Sequence, residues 1–185
     1  MPTPGMPATF ASRAEYAQLV DVLRGTGVID GPARLYWDAR PSAKYSTIEI
    51  RVADVCTSVD DAVLVAALAR ALVATGIAAV EQGRPAPELR PELVRAASWR
   101  AARTGIDDVL IDLRSRHDAP ARQVVQALVE HVADALDAAG DRSVVLDQLD
   151  VVFGRGTSAR RQREVLGRHG SYDAVVEWLA DETVR

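Results

Sequence analysis

The chain has 185 residues, 48% of them hydrophobic and 26% charged, so it can bury one ordinary core, and we expect a single domain over 1–185. Its formal net charge of -4 gives no overall attraction for a polyanion, which disfavours a general nucleic-acid binder. Cys56 is the one cysteine and no basic-then-apolar leader precedes residue 10, so we expect no internal disulfide and a cytoplasmic location.

The first eleven residues contain three prolines and two methionines without periodicity, which predicts an extended arm over 1–11. Ser12 and Glu15 then have the spacing of a reciprocal helix cap, and an apolar stripe follows them. We therefore predict a helix that begins after Ser12 and ends at Gly25 or Gly27.

Two short runs of alternating apolar and polar residues predict a pair of strands, the first ending at Pro41 and the second spanning Tyr45 to Val52. Side by side, they would bury one face and present another that is rich in charge. The apolar face comprises Leu35, Trp37, Ala39, Ile48, Ile50 and Val52. The other, which we call the charged strand face, comprises Tyr36, Asp38, Arg40, Tyr45, Thr47, Glu49 and Arg51.

Beyond Asp54 the pattern is almost wholly helical. Ser58 predicts the N-cap of a long helix whose interior is nearly all apolar. Its most membrane-like part, Ala62 to Val80, carries Arg70 near its centre, where a bilayer would penalise a charge, so we expect a buried core helix and no membrane partner.

Prolines, capping residues and glycines delimit the later helices. We predict them from Pro91 to Gly105, from Pro120 to just before Gly140, after Asp141, and from near Thr157 and Ser171. Val109 to Leu113 is the remaining strand candidate. The predicted class is α+β: a short antiparallel sheet fragment followed by a bundle of about six helices.

A two-stranded sheet is marginal in water because it has two open edges and little area to bury. The missing strands could come from another polypeptide or from another copy of this chain. Alternatively, helices alone could cover the pair.

The charged strand face has two interpretations. Its charges could pair across the strands on a solvated exterior. They could also form a site for a nucleotide and a metal, since carboxylates bind magnesium together with substrate phosphates and guanidinium groups match phosphates.

Four segments carry a resemblance to a known family. Tyr45 to Asp54, with its Glu-x-Arg-x-x-Asp spacing, resembles the closing strand of the glutamine-synthetase superfamily, and the helix from Val59 follows it as in that superfamily. Tyr36–Ser42, Glu92–Gly105 and Gly154–Arg163 resemble, in the family's order, segments of bacterial carboxylate-amine ligases of the type 2 glutamate-cysteine ligase kind. The resemblance covers essentially the whole chain from Gly5, and it implies half of a glutamine-synthetase-like catalytic sheet.

Enzymes of this family transfer the γ-phosphate of ATP to a carboxylate, and an amine then displaces phosphate from the acyl phosphate while magnesium bridges the phosphates. The resemblance implies that Glu49 is a magnesium ligand and that Arg51 contacts the transferred phosphoryl group. Arg40 could hold a phosphate or the substrate carboxylate, and Asp38 could orient Arg40 or meet the amine.

Three further residues are candidates for binding ATP. Thr47 shares the charged strand face, and Arg100 lies beside Trp99 in a family-like segment. Arg161 belongs to a cluster that could bind an anion near a helix start or form a solvated face with ion pairs. The cluster comprises Arg155, Arg160, Arg161, Arg163 and Arg168.

The chain also departs from the family pattern. Arg160 stands where the family more often has aspartate, and Ser158 where it often has glycine. Family members normally begin with a further stretch whose Gly-x-Glu-x-Glu strand supplies more carboxylates. We therefore expect the chain to be the C-terminal half of an ATP- and magnesium-dependent ligase of small-molecule carboxylate and amine substrates, which needs an N-terminal half, a second subunit or a homo-oligomer for activity. A non-catalytic binding or assembly protein derived from the fold is the alternative.

Overall fold

Helices and two short antiparallel strand pairs make up the chain, which confirms the predicted α+β class. The computed structural model describes residues 4–31 and 34–184. The elements are α1 (Arg13–Gly25), β1 (Ala39–Pro41), β2 (Ile48–Ile50), α2 (Val59–Glu81), α3 (Pro91–Thr104), β3 (Val109–Asp112), β4 (His117–Pro120), α4 (Ala121–His131), α5 (Ala133–Ala139), α6 (Arg142–Arg155), α7 (Ser158–His169) and α8 (Tyr172–Thr183).

The chain divides into two units. The first comprises Met1–Ala53 and Ala86–Pro91, and the second comprises Asp54–Pro85 and Glu92–Arg185. The expectation of one domain over 1–185 stays a prediction.

The predicted cap of α1 is confirmed. The Glu15 backbone N–H donates to Ser12 Oγ at 3.1 Å, and Glu15 Oε2 accepts from the Ala11 N–H at 2.6 Å. The helix ends at Gly25, one of the two predicted positions. Local hydrogen bonding between near neighbours therefore sets the start of this helix.

An aromatic cluster organises the first unit. Trp37 is buried, and its ring centroid lies 6.0 Å from that of Phe10 and 5.8 Å from that of Tyr16. The described part of the predicted arm is tied to this cluster, because the Asp38 N–H donates to the Gly5 carbonyl at 2.9 Å. Residues 1–3 of the predicted arm lie outside the described residues.

The β1–β2 pair has the predicted antiparallel arrangement but the opposite burial. Ile48, Ile50 and Val52, predicted to be buried, are 50%, 41% and 64% exposed. Arg40, predicted to be on the outer face, is only 8% exposed. The apolar side of β2 is exposed because each strand has only three residues and the described residues do not cover that side. Leu35, by contrast, is buried beside α1 residues in the core of the first unit.

The core of the second unit lies where α2 meets α4, α5 and α6. Leu64, Ala67 and Ala71 of α2 pack in one cluster with Val129, Val132, Leu136 and Val145. Val132, Leu136 and Val145 are fully buried. Burying such aliphatic side chains stabilises a fold by roughly 1.5–3 kcal/mol each.

The expectation that α2 is a buried core helix is wrong for most of its surface. Among its described residues Leu64, Ala67 and Ala71 are buried, whereas Val59, Ile77 and others are more than half exposed. The reason is that its packing partners, α5 and α6, cover one side of the helix. By length and composition alone α2 is long and apolar enough to cross a membrane, and 17% of its most apolar 18-residue stretch is buried. Ser58 occupies the predicted N-cap position, but its side chain makes no capping hydrogen bond.

The predicted helix from Pro120 to Gly140 is two helices, α4 and α5, which are separated at Val132. Neither glycine nor proline marks this break, and the fully buried Val132 side chain lies in the core there. The strand candidate at Val109 is confirmed as β3, and its partner β4 was not predicted.

The last two helices begin as predicted. The Arg160 N–H donates to Thr157 Oγ1 at 3.2 Å, and the Asp173 N–H donates to Ser171 Oγ at 3.1 Å. Gly170, which separates them, has a φ of 64°, a conformation that favours glycine.

Candidate functional site

A buried guanidinium and a half-buried carboxylate face each other across β1 and β2. The strand register pairs Arg40 with Glu49. The Nε and Nη2 atoms of Arg40 lie 2.8 Å and 2.7 Å from Glu49 Oε2. Arg40 Nη1 also donates to the Leu35 carbonyl at 2.9 Å, in a buried hydrogen bond. The carboxylate of Glu49 is therefore held from below by a group with little freedom to move.

A second guanidinium approaches the same carboxylate from the residue that follows β2. Arg51 Nη1 lies 3.6 Å from Glu49 Oε2, and the Arg51 guanidinium lies 5.5 Å from the centroid of the Tyr36 ring. Glu49 and Arg51 therefore project to the same side of the backbone, as the alternation of strand residues requires. We call Arg40, Glu49 and Arg51 the Arg–Glu–Arg triad.

The triad is electrostatically one-sided, with two cations around one anion. The hydrogen bond from Arg40 is the main reason why the pKa of Glu49 lies below its ordinary value, and the positive charges of Arg40 and Arg51 lower it further. Glu49 is thus ionised at neutral pH, which is the form that binds a metal ion. Burial raises the pKa of the nearby Tyr16 hydroxyl, so Tyr16 stays protonated.

Two other candidates of the charged strand face, Asp38 and Thr47, make backbone hydrogen bonds near the triad. The Asp38 carbonyl accepts from the Arg51 N–H at 2.7 Å, and the Thr47 carbonyl accepts from the Ser42 N–H at 2.9 Å. Thr47 is exposed. The structure thus brings Arg40, Glu49 and Arg51 together through side chains, while Asp38 supports the position of Arg51.

The candidates of the second unit have neighbours of their own. Arg161 Nη2 lies 2.7 Å from Glu182 Oε2, and its guanidinium lies 4.7 Å from the centroid of the Trp178 ring. Arg103 stacks over Trp99 at 5.3 Å, one helical turn from the half-buried Arg100. Arg161 therefore joins α7 to α8, and its predicted role in binding ATP stays a prediction, as does that of Arg100.

Two family-like segments meet in the second unit. A methyl group added to Gly105, at the end of α3, would lie 3.6 Å from Thr157 Cγ2, at the start of α7. Asp107 lies 3.5 Å from Arg160 and 3.8 Å from Arg163. The sequence pattern did not single out Asp107, although its position just after Gly105 could have indicated it.

Within the described residues, four of the five arginines in the cluster make ion pairs, and Arg168 donates to the Glu164 carbonyl at 3.4 Å. Besides the pairs of Arg160, Arg161 and Arg163, Arg155 pairs with Asp61 of α2. Gln148 also donates to Asp61 at 3.1 Å. These contacts match the interpretation of the cluster as a face with ion pairs, whereas binding of an anion there stays untested.

Ser158, one of the departures from the family pattern, has a structural role. Its Oγ lies 3.1 Å from Thr57 Oγ1 and accepts from Gln162 Nε2 at 3.0 Å. Thr57 is buried just before α2. A serine at this position therefore links the start of α2 to the start of α7, which glycine could not do.

The chemistry of the described residues sets limits on a metal site. Within 4–31 and 34–184, no group of three or more His, Cys, Asp or Glu side chains is arranged to hold a metal ion. Glu49 can therefore supply one ligand, and further oxygen ligands would have to come from substrate phosphates or other carboxylates. Burial raises the pKa of the Cys56 thiol, which disfavours a nucleophilic thiolate.

Comparison with known proteins adds to this geometry. The family model described as glutamate-cysteine ligase family 2 matches residues 1–177. The chain is 48% identical over 182 residues to a Frankia alni protein named "Putative glutamate--cysteine ligase 2-2", covering 98% of this chain and 48% of that protein. It is 48% identical over 183 residues to a Salinispora tropica protein named "Putative glutamate--cysteine ligase 2", again covering 98% of this chain and 48% of that protein. The chain thus spans about half the length of these two curated relatives.

Proposed function

The chain belongs to glutamate-cysteine ligase family 2, and on that basis we propose that it forms the carboxy-terminal half of an ATP- and magnesium-dependent ligase that joins a small-molecule carboxylate to an amine. The observation that supports the proposal most is the Arg–Glu–Arg triad, whose Glu49 and Arg51 lie in the segment that resembles the superfamily's Glu-x-Arg strand and whose Arg40 lies on the neighbouring strand. The remaining catalytic groups are supplied by an N-terminal half.

Within this proposal, Glu49 is one magnesium ligand. Its lowered pKa supports the role, because a carboxylate must be ionised to bind the ion. A single protein carboxylate suits magnesium when phosphate oxygens and water complete its six positions. Bound magnesium offsets the negative charge of the phosphates.

Arg51 and Arg40 have different parts in the proposal. Arg51, whose side chain is 34% exposed, contacts the phosphoryl group that is transferred and offsets its charge. Arg40 is 8% exposed and bound to both Glu49 and the Leu35 carbonyl, which supports a role in positioning Glu49. Asp38 holds the backbone of Arg51 through its carbonyl.

The reaction has two steps. A carboxylate oxygen of the acid attacks the γ-phosphorus of ATP, the bond to the bridging oxygen breaks, and an acyl phosphate and ADP form. The amine nitrogen then attacks the acyl carbon, phosphate leaves with the electrons of the broken bond, and the amine loses a proton to give the amide. The names of the relatives favour glutamate and cysteine as the first substrates to test.

The test is reconstitution of the complete ligase. This chain is combined with the segment of the Frankia alni relative that it does not match, and ADP and amide are measured with magnesium, ATP, glutamate and cysteine. Glu49→Gln should lower kcat at least about a hundredfold, since it removes a charged group that acts on the phosphates. Asp150→Asn is the matched control, because Asp150 is also a carboxylate paired with an arginine, at 2.7 Å, but lies on the surface of α6.

The alternative is a non-catalytic binding or assembly protein. The observation that favours it is that Arg40 and Arg51 already balance the charge of Glu49, as in a purely structural ion pair. If the reconstituted pair assembles but forms no ADP, whether it carries the wild-type chain or Glu49→Gln, the result would support this alternative and refute the ligase.

A further inference from the structure

The outer surface of α2 is rich in exposed apolar side chains. Exposed apolar residues cover the side of the helix away from Leu64, Ala67 and Ala71. We call them the open face of α2: Val59, Val63, Val65, Leu72, Ile77 and Val80, with exposed fractions between 37% and 78%. Along its 23 residues, α2 thus has apolar side chains on almost every side.

A helix that is apolar all round is stable in water only when other elements cover it. The described part of the chain covers α2 on one side, through the packing of α5 and α6. Exposed apolar side chains that cluster on one surface are typical of an interaction site. Alanine and glycine also line the helix, and small residues allow another element to approach closely.

Neither a membrane nor solvent suits this face well. Arg70 lies near the centre of the helix and pairs with Asp141, and Asp61 pairs with Arg155 of α6. Insertion into a bilayer would bury these charges and remove Leu64 and Ala71 from the core that they share with Val145. The cover for α2 must therefore leave its existing side packed.

We propose that the open face of α2 is the docking surface for the half of the family's polypeptide that this chain does not match. The relatives supply the argument for this occupant: the match covers 98% of this chain but 48% of two relatives, so those two relatives carry a further segment of comparable length. If two segments of a polypeptide share one core, either segment alone has a core helix that is only half covered. The inference rests on the proposed function, and it names the surface through which the two halves assemble.

The test measures assembly and turnover separately. The probe is the unmatched segment of the Frankia alni relative, and its Kd for this chain is measured by sedimentation. Val65→Glu and Ile77→Glu, made singly, should each raise the Kd at least tenfold, because each places a charge on the docking surface. Val176→Glu is the matched control: Val176 is 64% exposed on α8, and this change should leave the Kd as it is.

A second readout is amide hydrogen exchange. Residues of the open face of α2 should exchange more slowly when the unmatched segment is bound, and those of α8 should not. Glu49→Gln should assemble normally and lose turnover. A failure of the ligase proposal would therefore leave this result intact.

Three outcomes would overturn the docking surface. The first is that the wild-type chain does not bind the segment, or that the Val65→Glu and Ile77→Glu variants bind it as tightly as the wild type does. The second is a dimer of this chain that these variants dissolve while the segment does not bind. The third is flotation of the chain with phosphatidylcholine vesicles that the same variants abolish.

Discussion

Arg40 Nε donates to Glu49 Oε2 at 2.8 Å, directly across the two strands of the first sheet. One partner is buried and the other is about one-third exposed, so the pair joins the interior of the first unit to its surface. A buried guanidinium fixes the carboxylate while leaving it open to a ligand. This relationship determines how both residues should respond to substitution and to pH.

Acid should weaken the first unit through Glu49. Its pKa is lower in the folded chain than the value of 4.5 for a free side chain, so its contribution to stability is present above about that pH and is lost as the pH falls through the folded pKa. Urea unfolding measured from neutral pH down to about pH 3 should show less acid loss for Glu49→Gln than for the wild type. An identical loss in both proteins would contradict the assigned ion pair.

Replacing Arg40 with alanine should lower the free energy of unfolding by about 1–3 kcal/mol, because the buried Leu35 carbonyl and the Glu49 carboxylate both lose a donor. Arg24→Ala is the control, since the Arg24 side chain is 54% exposed and pairs loosely with Asp21 at 3.7 Å. That change should stay within about 0.5 kcal/mol. Equal effects of the two substitutions in urea unfolding would show that Arg40 does not anchor the strands.

The core of the second unit should depend on Leu136. This side chain is fully buried between α2 and α6, so Leu136→Ala should cost about 2–5 kcal/mol of unfolding free energy. Leu146→Ala removes the same atoms from a side chain that is 46% exposed, and it should cost less than about 1 kcal/mol. Thermal unfolding followed by circular dichroism compares the two variants.

The turn between α6 and α7 should require glycine at position 156. Gly156 has a φ of 84°, and an added methyl group would lie 2.8 Å from Arg160 Cδ. Gly156→Ala should therefore destabilise the chain by about 1–2 kcal/mol. Gly154→Ala, inside α6 with open space around it, should instead stabilise the chain by up to about 1 kcal/mol. A gain in stability from Gly156→Ala would refute the assigned turn.

Arg161 should stabilise the packing of α7 on α8. Removing it takes the Arg161 guanidinium away from Glu182, whose side chain is 10% exposed, and uncovers the Trp178 ring. Arg161→Ala should therefore lower the unfolding free energy by about 1–3 kcal/mol. If Arg161 also binds ATP, the reconstituted ligase carrying Arg161→Lys, which keeps the charge but loses the planar group over Trp178, should show a raised KM for ATP. An unchanged KM for ATP would show that Arg161 has only a structural role.

Much of the local structure could be predicted from the sequence. The cap at Ser12 depends on atoms a few residues apart and formed as predicted, and α7 and α8 begin next to Thr157 and Ser171 as predicted, whereas the predicted Ser58 side chain makes no cap. Strand alternation placed Glu49 and Arg51 on one side, and the resemblance to the ligase family is confirmed by the match over residues 1–177. These features follow from short-range geometry or from residue identity.

Other features were decided by the tertiary structure. The sequence pattern predicted burial of Ile48 and Ile50 and of most of α2, and it predicted an outward Arg40; the structure shows the reverse. It also gave no sign of the helix break at Val132. The physical reason is that periodicity indicates which residues share a face, whereas burial of that face depends on which distant segments are present to cover it.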